Sequence, residues 1–453
     1  MAVHRGGAAD DAAAWRPVNG ARVGAPCANK GGTAAAAVPF EGRRLPHFCP
    51  RKGVARMEFP DAREALFLPG PTPVPPSVAL AQALPMTDHR GPRFEPLARD
   101  VRQRLGRLFG TAAAVCVLPA SGTGGLEACA VNLFPEGARL LAVVAGAFGR
   151  RWADQAEAMG YAVDRLEVAW GEAASPDALA EAVLGAPYAG VLLTQNETST
   201  GVLQDVRALA DAVRASRPEA LLAVDAISGV PAAPLPMDAW RVDAVVSASQ
   251  KAFMLPPGLA FVALGPRARA AMEGGGRRRF YFDLRPFARG DFPATPAVGL
   301  WYALARALDL LEAEGEAARH ARHRLLARIV RAGAAALGFE PLAAAAVASP
   351  TVTALALPDG LDADAVRAEA TRLGARLAGG QGQLAGRVVR VGHVGNFAPL
   401  DMVAAIACLE LAVARVAGRR VDGRASKAAL GAWQDGIAAG VSAGHDTRGG
   451  SAR

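Results

Sequence analysis

The stretch that decides the fold is LLAVDAISGVPAAPLPMDAWRVDAVVSASQK, residues 221–251. It contains two apolar runs of strand length, LLAVDAIS (221–228) and AVVSASQ (244–250), separated by a segment rich in Pro. Short runs that are apolar throughout are typical of strands buried on both faces of a sheet. Each run has an ionisable residue at its carboxyl end, Asp225 in the first and Lys251 just after the second.

The pattern continues on both sides of this stretch. Strand-length apolar runs also occupy 114–120, 139–146, 190–197 and 259–265. Helical patterns lie between them, and an amphipathic one, EPLARDVRQRLGRLFG (95–110), precedes them. Apolar strands that alternate with helices form a mostly parallel sheet covered by helices on both faces. We therefore predict an α/β fold for the larger part of the chain.

A second, smaller unit is predicted after the long helical pattern at 300–315. Its elements are a strand at 351–357, a helix near 362–373 and a strand at 387–393, which indicate an α+β domain. The predicted organisation is a large domain over 57–310, which includes an N-terminal segment, and a small C-terminal domain over 311–417.

The two ends of the chain differ from this body. Residues 1–56 lack any sustained period and are predicted to be a disordered extension, with Met57 as the natural start. Residues 418–453 are predicted to be a weakly ordered tail with one helix around 425–438.

The net charge of +8 lies at these ends. Residues 1–56 carry +6 and 418–453 carry +3, while 57–417 carries −1. A nucleic-acid partner is not expected, because it would require a basic patch on the folded body. No apolar run approaches the ~18 residues of a membrane-spanning helix, so no membrane partner is expected either.

Cysteine usage indicates a reducing compartment. The chain has five cysteines, an odd number with no Cys-x-x-Cys pair. Cys116, Cys129 and Cys408 fall in apolar stretches and are predicted to be reduced core thiols, which favours a cytoplasmic location. No cluster of His, Cys and acidic residues has metal-ligand spacing, so no metal is expected.

Lysine usage singles out one residue. Of the four lysines, Lys30, Lys52 and Lys427 lie in the tails and Lys251 alone lies in the body. Arginine can replace lysine wherever only a charge is needed, but a guanidinium is not a usable amine nucleophile. Lys251 at the end of a strand therefore indicates covalent amine chemistry, and its alternative is a surface lysine kept by chance.

Two neighbouring features fit a cofactor that needs such an amine. Asp225 is predicted at the end of a buried strand, where its charge requires a cation, and a protonated pyridine nitrogen would be one. The turn SGTGG (121–125) joins a strand to a helix N-terminus, where N–H groups and the helix dipole favour a phosphate. Asp225 could instead cap the next helix, and a turn with glycines is a weak signal.

Eight segments occur in an order that resembles a known family. They are LPGPTPVPP, DHRGPRF, SGTGGLEA, QNETSTGV, VDAIS, SQKAFMLPPG, FPATPAV and RVGHVGN, between about 64 and 417. Together they resemble the class V (fold-type I) pyridoxal-phosphate aminotransferases, in the serine/alanine–glyoxylate group. The resemblance implies a fold-type I architecture and pyridoxal 5′-phosphate as cofactor. It also implies transfer of an amino group, by a ping-pong mechanism, from alanine or serine to glyoxylate or pyruvate.

The resemblance implies roles around the cofactor ring. Lys251 matches the lysine that forms a Schiff base with the cofactor and then moves the substrate proton. Asp225 matches the partner of the pyridine nitrogen. Phe148 in GAFGRR matches the aromatic residue stacked on the ring, and Thr198 matches the hydroxyl near the phenolic oxygen. Core packing is the alternative for Phe148, and a turn cap is the alternative for Thr198.

It implies further roles around the phosphate and the substrate. The phosphate cradle is matched by Ser121, Gly122, Thr123 and Gln250. Thr295 in ATPAV matches a residue that reaches the phosphate from the other subunit, which implies at least a homodimer with shared sites. Arg390 in RVGHVG matches the arginine whose planar fork holds the substrate carboxylate, and a surface arginine is its alternative.

Some positions depart from the family pattern or have open roles. Gln195 stands where many relatives have His, and Phe292 stands where some have a polar contact to the phosphate. These departures bear on fine tuning and substrate preference. Two roles are open for the loop residues His89 and Arg90. The first is an approach to the substrate channel, and the second is structural pairing within the loop. His393 is expected to make structural hydrogen bonds.

Two other functions stay open on the sequence. Desulfurases and related lyases share the fold but place a His before the lysine and use a mobile catalytic Cys, whereas Gln250 precedes Lys251 here. The alternative from another class is a non-catalytic cofactor-binding subunit of a larger complex. Such a protein would have no need of Lys251, Asp225 and Arg390 together.

Overall fold

The computed structural model describes residues 64–113, 115–274 and 277–440. The predictions for 1–56, including the start at Met57, and for 441–453 lie outside these residues. None of the helices in the described part has the length and apolar character that crossing a membrane requires.

The strands and helices alternate along most of the chain. The strands are β1 (Ala65–Phe67), β2 (Val115–Leu118), β3 (Arg139–Val144), β4 (Ala162–Glu167), β5 (Gly190–Thr194), β6 (Asn196–Glu197), β7 (Val202–Leu203), β8 (Leu221–Asp225), β9 (Ala244–Ala248), β10 (Ala260–Leu264), β11 (Glu340–Pro341), β12 (Val352–Ala356), β13 (Ala375–Gly379) and β14 (Val388–Gly392).

The helices follow the same order. They are α1 (Pro76–Ala81), α2 (Phe94–Phe109), α3 (Gly122–Leu133), α4 (Ala147–Ala158), α5 (Pro176–Leu184), α6 (Val206–Ser216), α7 (Pro266–Glu273), α8 (Leu284–Arg289), α9 (Val298–Glu314), α10 (Glu316–Ala336), α11 (Ala363–Arg372), α12 (Pro399–Val416) and α13 (Arg424–Ala438). Two short 3-10 turns lie at Ala345–Val347 and Gly382–Leu384.

The larger sheet has seven strands in the order β2-β10-β9-β8-β5-β3-β4. Five adjacent strands, from β9 to β4, are parallel, and β10 is antiparallel to both of its neighbours. The central strands β5, β8 and β9 are buried along their whole length, as expected for strands covered on both faces.

Each face of this sheet packs into its own apolar core. Along β9, Val245 contributes to one core with α2 and α9, whereas Val246 contributes to the other core with α3 and α7. Successive side chains of a strand point to opposite faces, so one apolar run supplies both cores. The predicted α/β fold with a mostly parallel sheet is confirmed.

The smaller sheet has five strands in the order β1-β13-β14-β12-β11. All its pairs are antiparallel except β1 with β13, and α10, α11 and α12 supply the buried residues that pack on it. This is the smaller α+β unit of the fold prediction. The strand β1 belongs to the N-terminal segment that the sequence analysis assigned to the large domain, and here it extends the smaller sheet. The exact domain boundaries stay a prediction.

The tail assigned to 418–453 contains the predicted helix, α13, but this helix is packed rather than weakly ordered. Its residues Ala425, Ala429 and Ala432 are buried in the core formed with α10 and α12. The small alanine side chains allow close approach of the helices, and their weak apolar signal explains why the sequence indicated a loose tail. The prediction is therefore corrected for 424–438.

Candidate active site

The carboxyl ends of the central parallel strands meet at one edge of the larger sheet. In the register of the sheet, Thr194 at the end of β5 is paired with Asp225 at the end of β8. The chain leaves β9 three residues before Lys251. Residues that follow parallel strands lie in a crevice at this edge, where α/β folds bind ligands. The sequence-predicted Asp225 and Lys251 are thus brought to the same place.

Lys251 is partly buried beneath the N-terminal segment. Its Nζ donates a hydrogen bond to the carbonyl of Pro69, and its own carbonyl accepts one from Thr72 Oγ1 at 3.1 Å. A Cβ on Gly70, whose φ is +126°, would lie 2.5 Å from Nζ, so this close approach requires glycine. Burial, reinforced by the positive charge of Arg390, lowers the pKa of Lys251 to about 8.

Asp225 is 5% exposed and stands in the chain between the buried residues Val224 and Ala226. Its Oδ1 accepts a hydrogen bond from the Ile227 N–H at 2.9 Å. Burial raises the pKa of Asp225 to about 7, and the charge of Glu197 adds to this rise, while Lys251 opposes it. A buried carboxyl of this kind becomes fully ionised when a cation is placed beside it.

The N-terminus of α3 packs against Ile227, which follows β8, and Ala248, which ends β9. A Cβ on Gly122 would meet Ile227 Cδ1 at 2.6 Å and Ala248 Cβ at 3.3 Å, so the helix approaches β8 and β9 closely. Ser121 caps the helix by accepting a hydrogen bond from the Gly124 N–H at 3.3 Å. The first N–H groups of a helix have no acceptor within it. Those of Gly122 and Thr123 can therefore bind an anion.

The start of α4 is held by residues from the β6–β7 hairpin. Glu197 Oε2 accepts hydrogen bonds from the N–H groups of Phe148 and Gly149, each at 3.0 Å. Ser199 Oγ accepts one from Ala147 N–H at 2.9 Å. Phe148 therefore lies in the first turn of α4, and Glu197 and Ser199, the two neighbours of Thr198 in the chain, hold that turn in place.

Arg390 reaches the site from β14 of the smaller sheet. It is 5% exposed, its Nε donates to the Gly379 carbonyl at 2.7 Å, and its Nη1 donates to the Thr198 carbonyl at 2.8 Å. Burial lowers the pKa of Arg390 to about 10, while the carboxylate of Glu197 opposes that change. Two sheets thus contribute cationic groups to one crevice.

Other sequence-predicted residues are placed as follows. Thr198 is buried beside Arg390, and Gln250 precedes Lys251 with its Oε1 buried and without a hydrogen-bond partner in the described part of the chain. Thr295 is exposed on the segment before α9, and its side chain makes no hydrogen bond to the described residues. No hydrogen bond among the described residues links Thr295 to Lys251, Asp225 or Arg390.

The residues that differ from the family pattern, and those whose roles the sequence left open, have the following contacts. Gln195 is 1% exposed and donates from Nε2 to the Pro234 carbonyl at 2.9 Å. Phe292 packs on Trp301 and, edge to face, on His89, with ring centroids 5.5 and 6.4 Å apart. His393 makes the expected structural hydrogen bonds, to the Pro350 carbonyl and to Thr353 Oγ1. Arg90 uses its backbone N–H to bind Asp88 within the loop at 2.9 Å.

Sequence reasoning missed Glu197 and Pro69. Glu197 stands inside a segment that the analysis used for Thr198, and it is a carboxylate between a buried strand and a turn with no basic residue nearby in sequence. That isolation is a signal that its partners are backbone N–H groups. The contact of Pro69 with Lys251 has no signal in the sequence, because a carbonyl is present at every residue.

The cluster fits pyridoxal 5′-phosphate. The aldehyde of this cofactor can react with the amine of Lys251. Its ring nitrogen can donate a hydrogen bond to the buried carboxyl of Asp225. Its phosphate can bind at the N-terminus of α3. Gln250, the residue before Lys251, has a buried Oε1 with no hydrogen-bond partner among the described residues, and this atom could interact with a bound cofactor. In the described residues, no group of three or more His, Cys, Asp or Glu side chains is placed to hold a metal ion.

Known proteins resemble the chain over most of this structure. Residues 78–381 match the family described as aminotransferase class-V. The chain is 38% identical over 360 residues to a protein named soluble hydrogenase, small subunit, of a Synechococcus species, over 78% of this chain and 93% of that protein. It is 36% identical over 363 residues to L-aspartate–glyoxylate aminotransferase of Paracoccus denitrificans, over 78% and 92%. The crystal structure of pyridoxamine–pyruvate aminotransferase from Mesorhizobium loti matches with a TM-score of 0.78 and 28% identity, over 84% of this chain and 100% of that one.

Proposed function

This chain belongs to the class-V aminotransferase family, and we propose that it transfers the amino group of alanine or serine to glyoxylate or pyruvate. It is a pyridoxal-phosphate-dependent aminotransferase of the alanine/serine–glyoxylate group. The observation that carries the proposal is the meeting of an amine, an acid and a guanidinium, those of Lys251, Asp225 and Arg390, in one crevice.

The proposal gives each residue of the crevice a part in holding the cofactor. Pyridoxal phosphate, when bound, supplies the electron sink that allows the Cα–H bond of an amino acid to break. Lys251 holds it covalently, Asp225 accepts the hydrogen bond of its ring nitrogen, Phe148 covers its ring and Thr198 lies near its phenolic oxygen. The phosphate is held by Ser121, Gly122, Thr123 and Gln250.

Lys251 is proposed to move the proton of the reaction. Its pKa of about 8 leaves a usable fraction of free amine near neutral pH, and an unprotonated amine is required to remove the Cα proton of the amino donor. The Pro69 carbonyl orients Nζ, and the departure of the amine from this position toward the substrate needs only rotation of a lysine side chain.

Arg390 is proposed to hold the carboxylate of both substrates. Two of its five N–H groups are occupied by the carbonyls of Gly379 and Thr198. The second N–H of Nη1 and the N–H groups of Nη2 make no hydrogen bond to the residues that the structure describes, and together they can form a fork that matches a carboxylate. Because the fixed contacts hold the guanidinium plane, a substrate carboxylate binds in one orientation.

Two parts of the proposal concern the assembly and location of the enzyme. The exposed Thr295 supports a homodimer in which this residue completes the site of the partner. The free cysteines Cys116, Cys129 and Cys408 support a reducing compartment such as the cytoplasm.

A non-catalytic subunit remains the second candidate, because one relative is named as a subunit of a soluble hydrogenase. A protein that only binds the cofactor does not need an arginine placed to hold a substrate carboxylate. Turnover with any amino donor therefore separates the two functions.

The substrate proposal is tested by steady-state kinetics of the holoenzyme with alanine, serine and aspartate as donors and glyoxylate or pyruvate as acceptor. We expect turnover with alanine or serine, and a KM for the donor that rises about ten- to a hundredfold in Arg390→Gln because charged hydrogen bonds are lost. The exposed Arg387→Gln is the matched control and should leave KM unchanged. Turnover with aspartate alone, or an unchanged KM in Arg390→Gln, would overturn the substrate assignment.

A further inference from the structure

Glu197 is a buried carboxylate that the mechanism above does not use. It is 1% exposed, and its four hydrogen bonds all come from donors. Two are from the N–H groups of Phe148 and Gly149, and two are from the N–H of Ser199 at 3.1 Å and the Ser199 Oγ at 2.6 Å. No Lys or Arg pairs with it in the described part of the chain. Three of these four donors are backbone N–H groups, and the fourth is the Ser199 hydroxyl.

The helix that carries Phe148 has no cap of its own. Its N-cap residue is Gly146, which has an extended φ of 166° and no side chain. The first three N–H groups of α4 are instead bound by Ser199 and Glu197, about fifty residues along the chain. A Cβ on Gly146 would lie 2.5 Å from Glu197 Cγ and from Ser199 Oγ, so the carboxylate occupies the space that an ordinary capping side chain would fill.

The same turn also reaches the other side of the crevice. The residue after Glu197 is Thr198, whose carbonyl accepts the Nη1 hydrogen bond of Arg390 at 2.8 Å. The charge of Glu197 also acts on Arg390 and on Asp225. One turn of chain thus connects a helix on the larger sheet with an arginine on the smaller sheet.

We propose that Glu197 is a positioning residue that holds Phe148 through the first turn of α4 and, through the adjoining Thr198 carbonyl, holds the guanidinium of Arg390. This inference rests on the proposed function, in which Phe148 covers the cofactor ring and Arg390 binds the substrate carboxylate. Burial raises the pKa of Glu197, and the hydrogen bonds donated to its carboxyl group oppose that rise. The role needs two accepting oxygens, Oε2 for the first turn of α4 and Oε1 for Ser199. A glutamine has one carbonyl oxygen and one amide NH2 group. The NH2 group would face either the N–H groups of α4 or the N–H of Ser199, so two donors would meet with no acceptor between them.

The first test is hydrogen exchange of the apoprotein, which does not depend on the cofactor. In Glu197→Gln we expect the amides of Phe148 and Gly149 to exchange at least about tenfold faster than in wild type, because their shared acceptor is weakened. Amides in α13 serve as the internal control and should be unchanged. Ser199→Ala removes the acceptor of Ala147 and one donor to Glu197 but leaves the carboxylate. It should therefore accelerate exchange at Ala147 and affect Phe148 and Gly149 less. Unchanged exchange at Phe148 and Gly149 in Glu197→Gln would overturn the proposal.

The second test is a double-mutant cycle in cofactor affinity. We expect Glu197→Gln to weaken binding of pyridoxal phosphate about tenfold in the wild-type background, and by less than about twofold in the Phe148→Ala background. A purely structural role would weaken binding equally in both backgrounds, and that result would overturn the proposal. At saturating cofactor, KM for the amino donor should rise more than kcat falls.

The two levels of failure are separable. If wild type binds no pyridoxal phosphate, the proposed function fails, and the exchange rates at Phe148 and Gly149 alone decide whether Glu197 caps α4. If wild type binds the cofactor and the cycle shows no coupling, the proposed function stands and the role of Glu197 is overturned.

Discussion

At the scale of single residues, burial brings the pKa values of Lys251 and Asp225 close together. The pKa of the lysine falls to about 8 and that of the aspartate rises to about 7, in each case chiefly because burial disfavours the charged form. A pyridine aldehyde cofactor reacts with an amine that is easily deprotonated, and its ring nitrogen is stabilised by a nearby acid. Lys251 and Asp225 have these two properties. In the apoprotein the same burial costs stability.

Asp225→Asn is expected to change how the stability of the apoprotein depends on pH. The native pKa of Asp225 is raised from 3.8 to about 7, so the folded state holds a proton that the unfolded state releases between these values. Its contribution is present below about pH 4 and is lost as the pH rises through about 7. From pH 5 to pH 8, the free energy of unfolding of wild type should fall relative to Asp225→Asn by roughly 2–3 kcal/mol.

Urea unfolding of both apoproteins at pH 5 and pH 8 measures this difference. The exposed Asp435→Asn is the control, since its carboxyl is not buried. A difference between wild type and Asp225→Asn that stays constant with pH would show that the carboxyl ionises freely in the fold.

At the scale of elements, two helices are capped by glutamates from distant segments. Glu197 binds the first turn of α4, and Glu410 on α12 accepts hydrogen bonds from the N–H groups of Ala425 and Ser426 at the start of α13, at 3.0 and 3.1 Å. Both carboxylates are buried. A charge near a helix N-terminus also interacts favourably with the helix dipole.

Glu410→Gln is expected to lower the free energy of unfolding by about 1–2 kcal/mol, because one acceptor of the α13 cap is replaced by a donor. Chemical denaturation of the variant beside Asp435→Asn on the same helix measures the loss, and the control should change by less than about 0.5 kcal/mol. Cofactor affinity should be unaltered. Equal stability of Glu410→Gln and wild type would mean that α13 does not depend on this cap.

The elements that sequence could predict are those with a strong local pattern. The apolar runs of β8 and β9 and the amphipathic face of α2 depend on spacing alone, and Lys251 and Asp225 could be located because they end such runs. The antiparallel direction of β10, the pairing of β1 with β13 and the packing of α13 depend on contacts between distant segments. The roles of Glu197 and Glu410 were hidden for the same reason, since their partners are backbone groups with no signature in the side-chain sequence.

At the scale of the whole molecule, the crevice is built by both sheets. Lys251 and Asp225 follow strands of the larger sheet, whereas Arg390 lies on β14 of the smaller one. The hydrogen bond from Arg390 to the Thr198 carbonyl joins β14 to the turn after β6. The hydrogen bond from Thr72 to the Lys251 carbonyl joins the N-terminal segment to the segment that follows β9. Thr295 is exposed on the segment before α9, and its predicted role in the site of a partner subunit stays a proposal.

Subunit mixing tests whether Thr295 serves the partner. Lys251→Ala removes the amine, and Thr295→Asp places a negative charge against the phosphate, so each variant alone should be nearly inactive. In a random mixture of unfolded and refolded subunits, half of the dimers are mixed and each has one site with both residues intact. We expect activity of about one quarter of wild type. A mixture as inactive as its components would show that Thr295 does not act across the interface.

Under the proposed function, Lys251 carries a cofactor that accepts the amino group of a small amino acid. The most direct measurement is the visible absorption spectrum of the purified protein with pyridoxal phosphate, before and after L-alanine or L-serine and then after glyoxylate, with Lys251→Ala in parallel. We predict that wild type has the band of the lysine-bound cofactor, that the amino acid removes it and that glyoxylate restores it, while Lys251→Ala shows none of these changes. A band that no amino donor removes, or no band even with excess cofactor, would contradict the account.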